Sequence, residues 1–180
     1  NQLALGIASV DPLLVGAARL QGGVKRSGIE LGFDALALTS DRVAAQLNGS
    51  LAADLDLQVD GRVADLSVLT PRAAGAAEVT AHLSGTRAAP KVEAEASGEN
   101  VVLMERPFSD ATARFSGVVA GPQTSGELTI GGSLAETPVS GSGRLAAADG
   151  GARRIEGLAL SVGESRLSGG VAIGSDGLLS

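Results

Sequence analysis

Very few residues in this 180-residue chain could do covalent or metal chemistry. His82 is its one histidine and it has no cysteine, so zinc, haem, iron–sulfur and thiol chemistry lack their ligands. His82 stands between Thr80 and Ser84 in an alternating run, the setting of a solvated strand residue. Ser125-Gly126, Gly131-Gly132-Ser133 and Ser140-Gly141-Ser142-Gly143 have the composition of nucleophile elbows or phosphate loops. None keeps the full spacing or opens a helix. The carboxylates Asp54, Asp56, Glu93 and Glu95 alternate along wet faces without the glycine-aspartate repeat that builds calcium sites. Asn48-Gly49-Ser50 fits a glycosylation acceptor, a pattern common by chance. The sequence therefore predicts no cofactor, no metal and no enzyme.

The elements around these residues are strands. Lys91-Val92-Glu93-Ala94-Glu95-Ala96 alternates charge and small apolar residue without a slip, as does Asp54-Leu55-Asp56-Leu57-Gln58-Val59-Asp60. Successive strand side chains point to opposite sides of a sheet, so each such segment has one wet and one apolar face. Shorter stretches repeat the pattern, among them Ile29, Leu31, Phe33 and Val43, Ala45, Leu47. Helical signal is weak because Gly or Pro interrupts nearly every window; one short helical turn is expected near residues 65–69, capped by Asp65 before Pro71. The expectation is about 11–12 strands of some 5–10 residues. Turns are expected at Gly22-Gly23, Thr39-Ser40-Asp41, Arg87–Pro90, Gly121-Pro122 and Gly163-Glu164, and also at Asp11-Pro12, Asp149-Gly150-Gly151 and Ser175-Asp176-Gly177. Such short connections favour antiparallel neighbours. Asn48-Gly49 is either a hairpin turn or a glycine within a strand.

Imperfect repeats run through the chain. Leu83–Val92 resembles Ile130–Val139, and Leu36-Ala37-Leu38-Thr39 resembles Leu158-Ala159-Leu160-Ser161, each of the latter pair followed by a turn, an arginine and a new strand. The pattern implies one continuous sheet over residues 1–180 that grows by strand addition, with an irregular connector near 65–75. Its 26 glycines and 3 phenylalanines, with no tryptophan or tyrosine, leave an aliphatic apolar side without large anchors. Interior glycine permits sharp bends. The sheet then either collapses dry or stays open as a trough. A net charge of −6 without a basic cluster argues against nucleic acid, and no apolar run reaches the ~18 residues of a spanning helix. Asn1-Gln2-Leu3 reads as mid-strand, which suggests a piece of a longer chain.

The order of these elements carries a resemblance. Asp11-Pro12-Leu13-Leu14-Val15-Gly16, Leu36–Thr39, Asp65–Gly75, Leu83–Val92 and Leu158–Gly169 together resemble the repeat sequence of the TamB family, the periplasmic subunit of the translocation and assembly module. The resemblance implies an all-β, strongly curved, mostly antiparallel groove with an apolar interior, the β-taco. It also implies an inner-membrane-anchored, periplasmic envelope protein of Gram-negative bacteria, implicated in phospholipid passage between membranes and in outer-membrane protein assembly. The partners so implied are phospholipid acyl chains, neighbouring repeats of the same parent chain and, through regions outside this segment, an Omp85-type barrel. The expected groove lining is Leu55, Leu57, Val59, Val79, Ala81, Leu83, Val92, Ala94, Ala96, Ala113, Phe115, Leu128, Ile130, Leu158, Leu160, Leu167, Val171 and Ile173. Two other functions fit a chain of this kind: an assembly factor whose edges template nascent strands by β-augmentation, and a surface β-solenoid with a dry core.

Overall fold

The computed structural model describes residues 18–68, 71–147 and 153–173. The turns expected at Asp11-Pro12, Asp149-Gly150-Gly151 and Ser175-Asp176-Gly177, and the mid-strand reading of Asn1-Gln2-Leu3, lie outside them. The described residues form one open antiparallel sheet of 12 strands, with no second layer packed on either face. In chain order the strands are β1 (Arg19–Ser27), β2 (Glu30–Thr39), β3 (Val43–Leu51), β4 (Asp54–Val63), β5 (Ala73–Ala74) and β6 (Ala77–Thr86). They continue as β7 (Ala89–Leu103), β8 (Arg106–Val118), β9 (Ser125–Leu134), β10 (Thr137–Ala147), β11 (Arg153–Val162) and β12 (Ser165–Ile173). Spatial order follows sequence order, save that two-residue β5 pairs with β7 beside the end of β6. Each hairpin pairs with the next, so the sheet grows strand by strand to a width of about 50 Å. β7 and β8, at 15 and 13 residues, are longer than alternation alone indicated, because each runs through an irregularity that breaks its parity.

Those irregularities decide the shape. In β2, Ala35 takes φ 46° and the register to β3 shifts between Phe33 and Leu36. The Ala35 N–H, turned out of the ladder, donates to Asn48 Oδ1 at 2.9 Å. In β8, Asp110 takes φ 51° and the register to β9 shifts between Ser109 and Thr112. In β11 the shift falls between Ile155 and Leu158, around Gly157 at φ 58°. A β-bulge inserts one residue and bends its strand. Here it also keeps Phe33 and Leu36, or Ile155 and Leu158, on one face despite odd spacing. Gly22-Gly23, expected as a turn, is instead a bulge inside β1. Gly49 lies within β3 at φ 113°, and a side chain there would collide with the Asp56 carbonyl of β4. The bends come from such close backbone approaches.

The connector after β4 contains a 3-10 turn, Leu66–Val68, where the helical turn was expected. Asp65 caps it: Oδ1 accepts the Ser67 N–H at 2.9 Å and Oδ2 the Ser67 hydroxyl at 2.7 Å. These hydrogen bonds, the Ser67 hydroxyl first, hold the Asp65 carboxyl below the usual carboxylate range. The other turns fall as expected at 40–42, 87–88, 121–123 and 163–164. At one rim Arg87 ties consecutive hairpins together, its guanidinium donating to the carbonyls of Ile29, Leu51 and Ala52 at 3.1, 2.9 and 2.6 Å.

Candidate functional site: an uncovered apolar face

Register turns the alternating sequence into rows that cross the sheet. One row runs Val79, Ala96, Ala113, Ile130, then Gly141, Leu160 and Leu167, each opposite the next. A second runs Val59, Ala81, Ala94, Phe115, Leu128 and Gly143, and reaches Leu158 across the β11 bulge. A third runs Leu57, Leu83, Val92, Gly117 and Gly126, then Leu145, Ile155 and Val171. Leu55 lies one step further along β4, opposite Leu51 and Gly85. Ile173 pairs with Arg153 at the end of β12 and shares strand parity with Val171. The backbone thus brings every residue of the expected lining to one face.

The rows also contain four residues outside the expected lining: Phe33 and Leu47, which alternation had already marked, and Leu145 and Ile155, which it had not. Phe33 and Leu47 enter the third and second rows through β2 and β3. Ile155 was hidden by the Gly157 bulge, which puts two residues, Glu156 and Gly157, between inward positions. Leu145 was legible in principle, since Gly141, Gly143 and Leu145 alternate with Ser142 and Arg144 once glycine is read as an inward residue.

This face is only partly shielded. Among described residues just Val43, Leu55, Ala73, Ala77 and Val101 are buried hydrophobics, while Leu128, Ile130 and Leu167 are 43%, 41% and 62% exposed. Each 100 Å² of apolar area left in water costs about 2.5 kcal/mol relative to covering it. Between β8 and β11 it deepens into a cleft of about 170 Å³ walled by Phe115, Leu128, Ile130, Ile155, Leu158 and Leu160, with an almost wholly hydrocarbon lining.

The opposite face is charged and self-satisfied. Arg114 meets Glu95 at 2.8 Å, Arg144 meets Glu127 at 2.7 Å and Arg62 meets Glu78 at 3.8 Å, each directly across a strand pair. The hydrogen bond from Arg114 holds the Glu95 carboxyl low, and Glu95 in turn raises Arg114. Glu127 likewise raises Arg144. His82 Nε2 lies 2.9 Å from Asp56 Oδ1 on this face. Among the described residues no group of three or more His, Cys, Asp or Glu side chains is placed to hold a metal ion. No helix there is long and apolar enough to cross a membrane.

Residues 14–120, well over half of the chain, match the family model described as TamB, N-terminal domain. The chain belongs to the TamB family. No curated protein and no solved structure matches it significantly. TamB-family membership brings the coarse function with it: a Gram-negative envelope protein of a structural and transport kind, with a part in envelope biogenesis. The match spans β1 to β8, and the same sheet continues without a break through β9–β12.

Proposed function

We propose that this chain is a segment of a periplasmic apolar groove that shields phospholipid acyl chains between the inner and outer membranes, without catalysing a reaction. The observation that carries the reading is the asymmetry of the sheet. One face is a continuous field of aliphatic rows with no protein layer over it; the other holds all five ion pairs of the described residues. A hydrocarbon chain on the first face gains burial at every row, while a headgroup reaching past the strand ends stays in water. Acyl chains therefore meet no charge along the three rows.

Two features weigh against the other readings. A templating edge should present bare, flat backbone, whereas β1, outermost among the described strands, carries Arg19, Lys25, Arg26 and a bulge at Gly22, the devices that blunt strand addition. A dry-cored solenoid requires apolar faces packed on each other, and a single open sheet supplies none. Photo-crosslinking amino acids placed in the full-length protein at Leu83 and Ile130, against His82 and Thr129 on the charged face, test the proposal. Lipid adducts are expected at the first pair alone. Equal adducts on both faces, or normal lipid transport by a full-length protein carrying Ile130→Asp with its β content intact, would overturn it.

A further inference from the structure

The lining is not smooth. Gly141 and Gly143 of β10 form a floor, and neighbouring side chains lean over them. A Cβ placed on Gly141 would stand 2.8 Å from Ile130 Cγ1 and 3.3 Å from Leu160 Cδ1; one on Gly143 would stand 2.8 Å from Ile155 Cγ2. At the β8 side the ring of Phe115 lies over Gly117 and Gly126, its Cζ 2.8 and 2.7 Å from where their Cβ atoms would be. The ring ends the cleft. The cleft is open on one side, and its volume of about 170 Å³ is on the order of that of an apolar cavity that accepts benzene, ~150 Å³. Its almost wholly hydrocarbon lining offers a headgroup no polar partner. All five ion pairs lie on the other face, so the cleft is matched in charge to an uncharged hydrocarbon and mismatched to a peptide strand or an ion.

We propose that the cleft over Gly141 and Gly143 is a discrete seat for the terminal, unbranched end of a single acyl chain, with Phe115 as its stop. This rests on the lipid reading above but does not follow from it, since a conduit needs no seat. The seat lies almost entirely beyond residue 120, where the family match ends. A chain end held here would pause along the groove. Side chains that fill the floor would shorten the methylene run that fits, at about fourfold in affinity for each methylene excluded.

The test uses the whole chain with two phosphatidylcholine probes, one with a diazirine at the chain terminus and one with it beside the glycerol. Adduct positions are read by mass spectrometry. The terminal probe should mark Leu128, Ile130 and Leu158 preferentially, and Gly141→Val should cut those adducts about fifteenfold, as the loss of two methylenes would, while leaving adducts at Leu57 and Leu83 unchanged. Ile130→Ala, which opens the floor without adding bulk, should restore room for a terminally branched chain. Both variants must keep the wild-type circular dichroism. Terminal-probe adducts spread evenly over the rows and indifferent to both substitutions would overturn the seat and leave the conduit standing. No adducts from either probe would overturn both. Adducts between two copies of the chain at the cleft would show that protein fills it, and would likewise overturn the seat.

Discussion

Strands β3–β7 and β9–β12 are built from the same alternation and end in different states. In β3–β7 the inward positions are mostly filled by Leu, Val and Ala, and all five buried hydrophobics fall between Val43 and Val101. Four of them, Val43, Ala73, Ala77 and Val101, gather at the rim where the connector inserts β5 beside β7. In β9–β12 glycines 126, 141, 143 and 169 take inward positions, and Leu128, Ile130 and Leu167 stand 41–62% exposed around them. Placement of side-chain volume, with the pattern held constant, separates a more closely packed region of the sheet from a more exposed one. More of the stability should reside in the first, whereas both regions supply rows to the same apolar face.

The largest break of that contrast is expected from Val101→Asp, which puts an unpaired carboxylate at the most buried side chain described, 4% exposed. It should cost at least about 3 kcal/mol, read as a lowered urea midpoint. A sharper comparison pairs two leucines. Leu55→Ala, at 7% exposure, should cost about 2–3 kcal/mol, and Leu128→Ala, at 43%, less than about 1 kcal/mol. Equal losses would mean that the more exposed region is packed as tightly as the other.

The smallest effect concerns pH. Asp65 and Glu95 are held below their ordinary values, by the hydrogen bond from the Ser67 side chain and by that from Arg114. A carboxylate lowered in the folded state contributes stability above its unfolded pKa and loses it as pH falls through the folded one. The thermal midpoint should therefore drop below about pH 4, the ordinary carboxylate range, and Asp65→Asn with Glu95→Gln should flatten that drop. A steepened drop in the double variant would contradict the assignment. Both groups lie at the exposed surface, so the change should stay small beside the two above.

Much of this arrangement was legible in the residues. Alternation in 54–60 and 91–96 gave faces and strands directly, because a half-buried strand must repeat every two residues. Asp65 before a short apolar run gave the capped turn. The bulges were not legible. A left-handed Ala35 has no residue signature of its own, since tertiary pairing and not local preference imposes it, Asp110 is only weakly marked by the tolerance of Asp for positive φ, and Asn48 reveals its part only when its side chain meets the Ala35 N–H. Gly22-Gly23 misled for the related reason that glycine serves a bulge as readily as a turn. The cleft escaped notice because its floor is made of residues without side chains, which alternation scores as neither face. Only register shows Gly141 and Gly143 beneath Ile130, Leu158 and Leu160.

The account stands on an apolar face that is vacant of protein and open to hydrocarbon. Native mass spectrometry of the intact protein, released gently from its own membranes, puts that to the most direct test. Wild-type protein should carry one or more phospholipid masses, and Leu83→Asp, with its β content unchanged, should lose them. A wild-type protein that emerges bare, or a variant that keeps its lipid in full, would contradict the account.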